Sequence, residues 1–340
     1  MKGRQILLDH LQGREAAALM IDGQLSDLLV DADAPRPGTV YRAVTDRPIK
    51  GQGGVFLKSP AGPCYLRGVK GIGQGETLLV QVTGYAEPGK AIPVSHKVLF
   101  KSRYAIVTPD APGLNLSRSI RDDDVRDALL ELAHDGMDGS NMGLILRSAA
   151  ADADAVAVAE DIGNMRSLAE AVMWDEGKTP ETLSEGDGPH LLAWRDWVAP
   201  ADVVTSKGCF ETHGVLDAID AAQRAQVALG GGASMFVEAT RAMIAVDVNT
   251  GADGSFAAGL KANLACARQL PAVLRVRGLG GQVTIDLAPM PKKERKSFEA
   301  ALRAALRLDD VDTVLAGWTP LGNFELQRKR ARVPLSEVIA

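Results

Sequence analysis

Two short apolar runs near the C-terminal end of the chain each contain an aspartate close to their last residues. The first run spans residues 242–251 and contains Asp247 and Asn249, and the second spans residues 280–287 and contains Asp286. Because residues two apart on a strand point to the same face, Asp247 and Asn249 share a face, while Ile244, Val246 and Val248 pack on the other. Acids at the carboxyl ends of parallel strands lie where such sheets usually bind their ligands.

The segment between the two runs predicts a helix, since Leu260, Leu264, Ala267 and Leu270 recur at helical intervals. A strand, a helix and a second strand joined by a right-handed crossover can bring the two aspartates together. Magnesium takes hard oxygen ligands from one or two carboxylates, water and substrate phosphate. The pattern therefore predicts a divalent-metal site. The alternative is that one aspartate caps a helix or closes a turn.

Length and composition indicate a globular protein of several units. A chain of 340 residues exceeds the size at which one core usually suffices, so we expect two to four units. No apolar run approaches the roughly 20 residues needed to cross a bilayer, and we expect a cytoplasmic location. Cys64, Cys209 and Cys266 are far apart and odd in number, which favours buried thiols over a disulfide framework or a paired metal motif.

The net charge of −5 is unevenly distributed along the chain. Residues 1–120 carry 15 Lys and Arg against 10 Asp and Glu, residues 121–200 carry 6 against 18, and residues 241–340 carry 15 against 10. Basic blocks separated by an acidic one are consistent with two surfaces that contact a polyanion. Solvated faces of mixed sign are the alternative.

The segment 39–98 contains five short β-rich runs separated by turns, which predicts a small barrel. Phe56, Tyr65 and Tyr85 lie among its basic residues. Aromatic rings beside cations are typical of OB-type barrels that hold single-stranded nucleic acid by stacking and phosphate neutralisation. Each aromatic residue taken alone could instead belong to the core.

The rest of the chain mixes helices and strands. We expect an antiparallel β-ribbon over residues 5–30, helices over 124–132, 151–174 and 212–229, and a loop over 176–190. Near the C-terminus, a helix with an apolar face of Phe298, Leu302 and Leu306 precedes a strand over 311–318 and a basic tail over 324–332. That tail could hold substrate phosphates beside the carboxylates, or it could be a solvated basic segment.

The chain resembles the ribonuclease E/G family of bacterial endoribonucleases. The motifs that carry the resemblance are Glu238-Ala239-Thr240, Asp247-Val248-Asn249, Asn263-Leu264, Leu279-Gly280-Gly281, Ile285-Asp286, and Gly322 with Glu325, Arg328 and Arg330. A second block, formed by Leu116-Ser117-Arg118 and residues 142–148, is similar to the family's 5′-end sensing region.

The resemblance implies a multidomain α+β fold in which an OB-like β-barrel is inserted in an RNase H-like scaffold. The implied parts are residues 1–38 with 181–229 as an abbreviated RNase H-like scaffold, 39–98 as the OB-like RNA-binding barrel, 99–180 as a 5′-sensor-like region, and 230–340 as a DNase I-like α/β catalytic domain.

The resemblance also implies roles for particular residues. Asp247 and Asp286 would bind the catalytic Mg²⁺, and Asn249 would support Asp247. Arg147 and Ser148 would hold the 5′-monophosphate of RNA, with serine standing where the family usually has threonine. The remaining implied RNA contacts are Tyr65 as a stacking aromatic, Lys90, Arg118, Arg328 and Arg330.

Some positions depart from the family pattern. The second barrel aromatic falls near Val55, with Phe56 adjacent, and Ala288 stands where a second acid follows the Ile-Asp pair. Because the chain shows no paired cysteines and stops after the basic tail, we expect a short form without the zinc link, the small C-terminal domain or a zinc-linked tetramer. A monomer or a dimer is the expected state.

These features predict a magnesium-dependent endoribonuclease that cleaves single-stranded RNA with 5′-end sensing and leaves 5′-phosphate ends, in RNA processing or decay. The alternative is an RNA-binding protein or RNA chaperone with weak or no nuclease activity. A DNA nuclease is a third interpretation, because a DNase I-like carboxylate pair is compatible with either sugar. No membrane partner is expected.

Overall fold

The computed structural model of the chain describes residues 3–49, 53–69 and 71–339. It divides into two compact units: the first unit is formed by residues 1–32 with 201–340, and the second by residues 33–200. Within the described residues, no helix is both long enough and apolar enough to span a lipid bilayer. Cys64, Cys209 and Cys266 are free and buried, as predicted.

The chain begins with an antiparallel three-stranded meander, which confirms the predicted ribbon. Its strands are β1 (Arg4–Leu11), β2 (Arg14–Ile21) and β3 (Gln24–Val30). Two-residue turns join them, and all four turn residues have positive φ: 51° at Gln12, 81° at Gly13, 49° at Asp22 and 78° at Gly23. Such turns match the right-handed twist of the strands they connect.

The predicted small barrel is present in the unit formed by residues 33–200. Its strands are β4 (Val40–Ile49), β5 (Gly54–Ser59), β6 (Gly62–Arg67), β7 (Thr77–Val82) and β8 (Ile92–Ser95). They pair in the order β4-β5-β6-β8-β7, and β7 pairs back with β4. The sheet is therefore a closed five-stranded barrel, consistent with an OB-like fold, and it is filled by residues such as Leu57, Leu66 and Val80.

A second, four-stranded sheet follows the barrel in the same unit. The elements of this region are β9 (Phe100–Lys101), β10 (Ala105–Thr108), β11 (Leu114–Leu116), α1 (Asp123–Gly136), β12 (Gly143–Leu146), α2 (Ala155–Met173), β13 (Glu181–Ser184) and α3 (Pro189–Asp196). The strand order is β11-β12-β10-β9, and α1 and α2 share one core with this sheet. Asp122 and Asp154 cap the two helices by accepting hydrogen bonds from backbone N–H groups of their first turns.

Residues 181–200, expected to belong with the scaffold, lie instead in the unit of the barrel. β13 pairs antiparallel with β4. Arg42 of β4 reinforces that pairing, since its buried guanidinium binds Asp175 at 2.5 Å, Glu181 at 2.8 Å and the carbonyl of Thr179 at 2.7 Å. The expected loop over 176–190 therefore contains a strand that a buried cation holds in place.

The chain then returns to the first unit. Its remaining elements are β14 (Asp202–Val204), α4 (Cys209–Thr212), α5 (Val215–Ala222), β15 (Gln226–Gly230), β16 (Ala233–Ala239), β17 (Ile244–Asn249), α6 (Phe256–Val276), β18 (Gly281–Asp286), α7 (Arg295–Leu306), β19 (Thr313–Trp318), β20 (Phe324–Arg328) and α8 (Leu335–Val338). β14 pairs parallel with β1 at the edge of the N-terminal meander. The helix predicted over 212–229 ends at Ala222, because residues 226–230 pair with β16 instead.

The second sheet of this unit has six strands in the order β15-β16-β17-β18-β20-β19. Residues alternate between buried and exposed along β17 and along β18. The buried side chains share a core with α6 and α7, which include Leu270 and the predicted apolar residues Phe298 and Leu302. The helices thus cover one face of the sheet, and the exposed residues of β17 and β18 lie on the other.

A buried ion network joins distant segments of the first unit. Asp27 of β3 is 2% exposed and accepts a hydrogen bond from Arg332 at 2.9 Å, while the Nε of Arg275 lies 3.5 Å from its carboxylate. Arg275 in turn binds Asp309 at 2.7 Å, and Arg328 binds the same carboxylate at 2.6 Å. Burial alone would raise the pKa of Asp27, but Arg332 and Arg275 hold it below its ordinary value of 3.8.

The substitution Asp27→Asn should therefore destabilise the first unit by about 3 kcal/mol, because it leaves the largely buried Arg332 without its partner charge. The pKa of Asp27 is depressed in the folded chain, so its contribution is complete above the ordinary pKa and is lost as the pH falls below it. Thermal unfolding between pH 7 and pH 3 should show the largest difference between wild type and Asp27→Asn at pH 7.

Asp217→Asn is the matched control, because Asp217 is an exposed acid on α5 of the same unit. Its unfolding should stay within about 0.5 kcal/mol of wild type. Equal melting temperatures for Asp27→Asn and wild type at pH 7 would contradict the assigned role.

Candidate functional site

The parallel pairing of β17 with β18 brings the two predicted acids together. Asp247 is the register partner of Asp286, and both side chains are exposed on the sheet face opposite the helices. Adjacent strands in a sheet are about 4.8 Å apart, so the two carboxylates project side by side. The helix predicted between the two strands is present as α6, and it forms the crossover that allows β17 and β18 to lie parallel.

Asn249 belongs to the same group. Its Nδ2 donates a hydrogen bond to Oδ2 of Asp247 at 2.8 Å, from two residues farther along the same strand face. That bond orients the Asp247 carboxylate and occupies one of its two oxygens.

The donor set fits a magnesium ion. Among the described residues there is no group of three or more His, Cys, Asp or Glu arranged to hold a metal, so the site offers two carboxylates and no closed cage. Magnesium is commonly bound by one or two carboxylates and keeps its other positions for water and substrate phosphate. An exposed pair of aspartates on neighbouring strands meets that requirement.

Asn263 positions the segment that follows Asp286. This residue is fully buried on α6, and its side-chain amide donates to the carbonyl of Ala288 at 2.9 Å and accepts from the Ala288 N–H at 3.0 Å. Gly259, one turn earlier, lies so close to the carbonyl of Pro289 that a Cβ would not fit. This role was not predicted from the sequence, where the available signal is one asparagine among the apolar residues of the predicted helix.

The barrel presents an aromatic pair on its outer surface. Phe56 and Tyr65 are register partners on β5 and β6, with ring centroids 5.6 Å apart. Val55, near which the second family aromatic was expected, is 3% exposed and belongs to the barrel core. Phe56 therefore occupies the outer face next to Tyr65. Gly54 makes room for this arrangement, because a Cβ there would lie 2.6 Å from the Tyr65 ring.

Lys90 precedes β8, the strand that pairs with the strand of Tyr65. Its side chain is 66% exposed, and its ammonium lies 2.5 Å from the Glu87 carboxylate. Exposed ion pairs of this kind contribute little to stability, so the ammonium can exchange its partner for another anion at small cost.

The residues expected to sense a 5′-phosphate separate into two groups. β11 and β12 are parallel, with Leu116 opposite Leu146, and the exposed residues Arg118 and Ser148 each follow two positions later at the same edge. The structure thus brings Arg118 and Ser148 to a common edge of the sheet.

Arg147 is engaged inside the protein. Its guanidinium donates to the carbonyl of Ser102 at 2.5 Å and that of Arg195 at 3.0 Å, and it binds Asp196 at 2.8 Å. Asp196 also pairs with Lys101 and Arg195. Burial would raise the pKa of Asp196, but Arg195 and Lys101 hold it well below the ordinary range, so the carboxylate remains charged against these cations.

The basic tail does not lie beside the aspartates. Arg328 pairs in register with Gly281, at the opposite end of β18 from Asp286. It is 1% exposed, binding Asp309 at 2.6 Å and the Thr313 hydroxyl at 3.0 Å. Arg330 is half-buried and donates to the carbonyl of Gly280. The expectation of surface phosphate contacts from Arg328 is therefore corrected: antiparallel pairing directs this cation into the core at the far end of the sheet.

The sequence is similar to that of known ribonucleases. The model of the Ribonuclease E/G family matches residues 100–205 and 201–331. The chain is 28% identical to Ribonuclease G of Salmonella typhimurium (strain SL1344), in an alignment that covers 78% of this chain and 62% of the relative. Ribonuclease G of Escherichia coli (strain K12) gives the same identity and coverage. Ribonuclease E of Synechocystis sp. (strain ATCC 27184 / PCC 6803 / Kazusa) is 24% identical, with 95% of this chain and 56% of the relative covered.

The matched segments extend over well more than half of the sequence, and the chain belongs to the Ribonuclease E/G family. The chain spans about three fifths of the length of these curated relatives. The resemblance stated from the motifs is thus confirmed.

The substitution Gly54→Ala should destabilise the barrel by about 1–3 kcal/mol, because the new Cβ must displace the Tyr65 ring from its place beside Phe56. Thermal unfolding measures this change. Gly163→Ala is the control, since a Cβ at this α2 position meets no atom within 4 Å and alanine favours the helix. A melting temperature of Gly54→Ala at or above that of wild type would contradict the close packing of Tyr65 on Gly54.

Proposed function

We propose that this chain is a magnesium-dependent endoribonuclease that cleaves single-stranded RNA and leaves 5′-phosphate ends, in RNA processing or decay. The observation that carries the proposal is the in-register pair of Asp247 and Asp286 on the open sheet face, with Asn249 bonded to Asp247. Relatives that share the family model are named Ribonuclease G and Ribonuclease E, which supports RNA as the substrate.

The chemistry follows from the residues on that face. Asp247 and Asp286 would hold Mg²⁺, which when bound polarises a phosphate and lowers the pKa of a bound water. Asn249 keeps the Asp247 carboxylate in one orientation, and Asn263 fixes the backbone directly after Asp286. Hydrolysis of the P–O3′ bond leaves a 3′-hydroxyl on one product and a 5′-phosphate on the other.

Two further surfaces, both in the unit formed by residues 33–200, would bind RNA. Tyr65 and Phe56 offer adjacent rings on the outside of the barrel for base stacking, and Lys90 offers an exposed ammonium nearby in the fold. Arg118 and Ser148 offer a cation and a hydroxyl at one sheet edge for a 5′-monophosphate. In this proposal Arg147 supports that edge from inside through its bonds to the carbonyls of Ser102 and Arg195.

The substitutions Asp247→Asn and Asp286→Asn should each reduce cleavage of a single-stranded RNA oligonucleotide at least about 100-fold, the scale on which one electrostatic contact to a transition state is measured. Both side chains are exposed, so melting temperatures should stay close to that of wild type. Cleavage is followed on gels with Mg²⁺ and with EDTA.

Asp312→Asn is the matched control, because Asp312 is an exposed acid next to β19, at the other end of the same sheet. It should cleave like wild type. Full magnesium-dependent activity in both aspartate variants would refute the proposal. If wild type binds RNA but does not cleave it, the chain is an RNA-binding protein instead. Competition between matched RNA and DNA strands tests the choice of sugar.

The substitutions Ser148→Ala and Arg118→Ala should each lower the preference for 5′-monophosphorylated over 5′-hydroxyl RNA about tenfold, the effect of losing one hydrogen bond to a charged group. The measurement is the ratio of cleavage rates for the two substrates. Arg121→Ala, at a nearby exposed position, should leave the ratio unchanged. If Ser148→Ala and Arg118→Ala keep the wild-type ratio, as the control does, the sheet edge has no part in 5′-end sensing.

A further inference from the structure

A cleft of about 290 Å³ lies between α2 and α3 in the unit formed by residues 33–200. The turn between β9 and β10, residues 102–104, closes one side of it. Its apolar lining comes from Tyr104, Met165, Leu191 and Trp194. Leu191 and Trp194 are 53% and 57% exposed, so two large apolar side chains on one helix face this opening without being covered.

Trp194 is held rigidly although it is exposed. The guanidinium carbon of Arg103 lies 4.0 Å from the centroid of the indole ring and 5.8 Å from that of Tyr104. The same guanidinium donates a hydrogen bond to the Trp194 carbonyl. One face of the indole is therefore fixed against a cation, which makes the residue a preformed stacking platform.

The charges around the cleft are nearly balanced. Lys101, Arg103 and Arg195 line it together with Glu160, Asp161 and Asp187. Arg195 binds Asp187 at 2.5 Å, and Asp161 accepts hydrogen bonds from the Ser102 hydroxyl at 2.5 Å and the Tyr104 N–H at 2.9 Å. A balanced lining does not attract phosphate strongly, but its carboxylates can accept hydrogen bonds from the N–H groups of a neutral ring.

A flat, neutral ring with donors on its edge fits this combination of aromatic platform, apolar wall and acceptor groups. We propose that the cleft between α2 and α3 binds one unpaired nucleobase of the RNA, stacked on the face of the Trp194 indole opposite Arg103. The proposal rests on RNA being the substrate and adds a contact surface separate from the aspartates of the sheet and from the aromatic pair of the barrel.

The test measures binding of a fluorescent single-stranded RNA oligonucleotide to the full chain in EDTA, where no cleavage occurs. Trp194→Ala should weaken binding about tenfold, because stacking of one base on an aromatic side chain contributes on that scale. Trp194→Phe keeps a ring for stacking and should bind close to wild type. Trp174→Ala is the matched control, since Trp174 is 76% exposed in the same unit but does not line the cleft.

Circular dichroism should show that all three variants fold, because both tryptophans are surface residues. Equal RNA affinity for Trp194→Ala and wild type would overturn the proposal. A protein side chain would then be the expected occupant of the apolar cleft. Equal losses in Trp194→Ala and Trp174→Ala would also overturn it. Since binding is measured without metal, this result is independent of whether Asp247 and Asp286 support cleavage.

Discussion

The parallel register between β17 and β18 is the constraint on which the candidate site depends. If one of the two strands slipped by one residue, its aspartate would point into the core. The aspartate of the other strand would then have no partner on the open face. Alternating Val246, Val248, Val283 and Ile285 hold that register by packing against α6. The same helix carries Asn263, whose two hydrogen bonds to Ala288 secure the chain where it leaves β18. One helix therefore sets both the pairing of the strands and the path of the loop after them.

Local periodicity made part of this arrangement predictable. Two apolar runs with alternating polarity and a helical spacing between them are sufficient to predict a strand, a crossover helix and a parallel strand. The five short runs of the barrel and the N-terminal ribbon were likewise predictable, because turn residues separate them at short intervals. In each case neighbours in sequence are close in the fold.

Contacts between distant segments were not predictable in this way. The role of Arg328 depends on which strand β20 pairs with and in what register, and no local pattern encodes the choice of Gly281 as its partner. β13 joins the barrel because Arg42 binds Asp175 and Glu181 far along the chain. Counts of Lys and Arg suggested two basic surfaces, but Arg42, Arg147, Arg328 and Arg332 are all used in internal ion pairs. A basic stretch can therefore be structural as well as functional.

The division of the chain also has a consequence for its biogenesis. One unit is a single continuous stretch, residues 33–200, whereas the other consists of residues 1–32 and 201–340. During synthesis on the ribosome the continuous stretch can fold as soon as it has emerged, because all its strands and helices are then present. The charge of Asp27 on β3 is balanced only after Arg275 and Arg332 have been made. The aspartate-bearing sheet can be completed only after β20, which ends at Arg328, has been made.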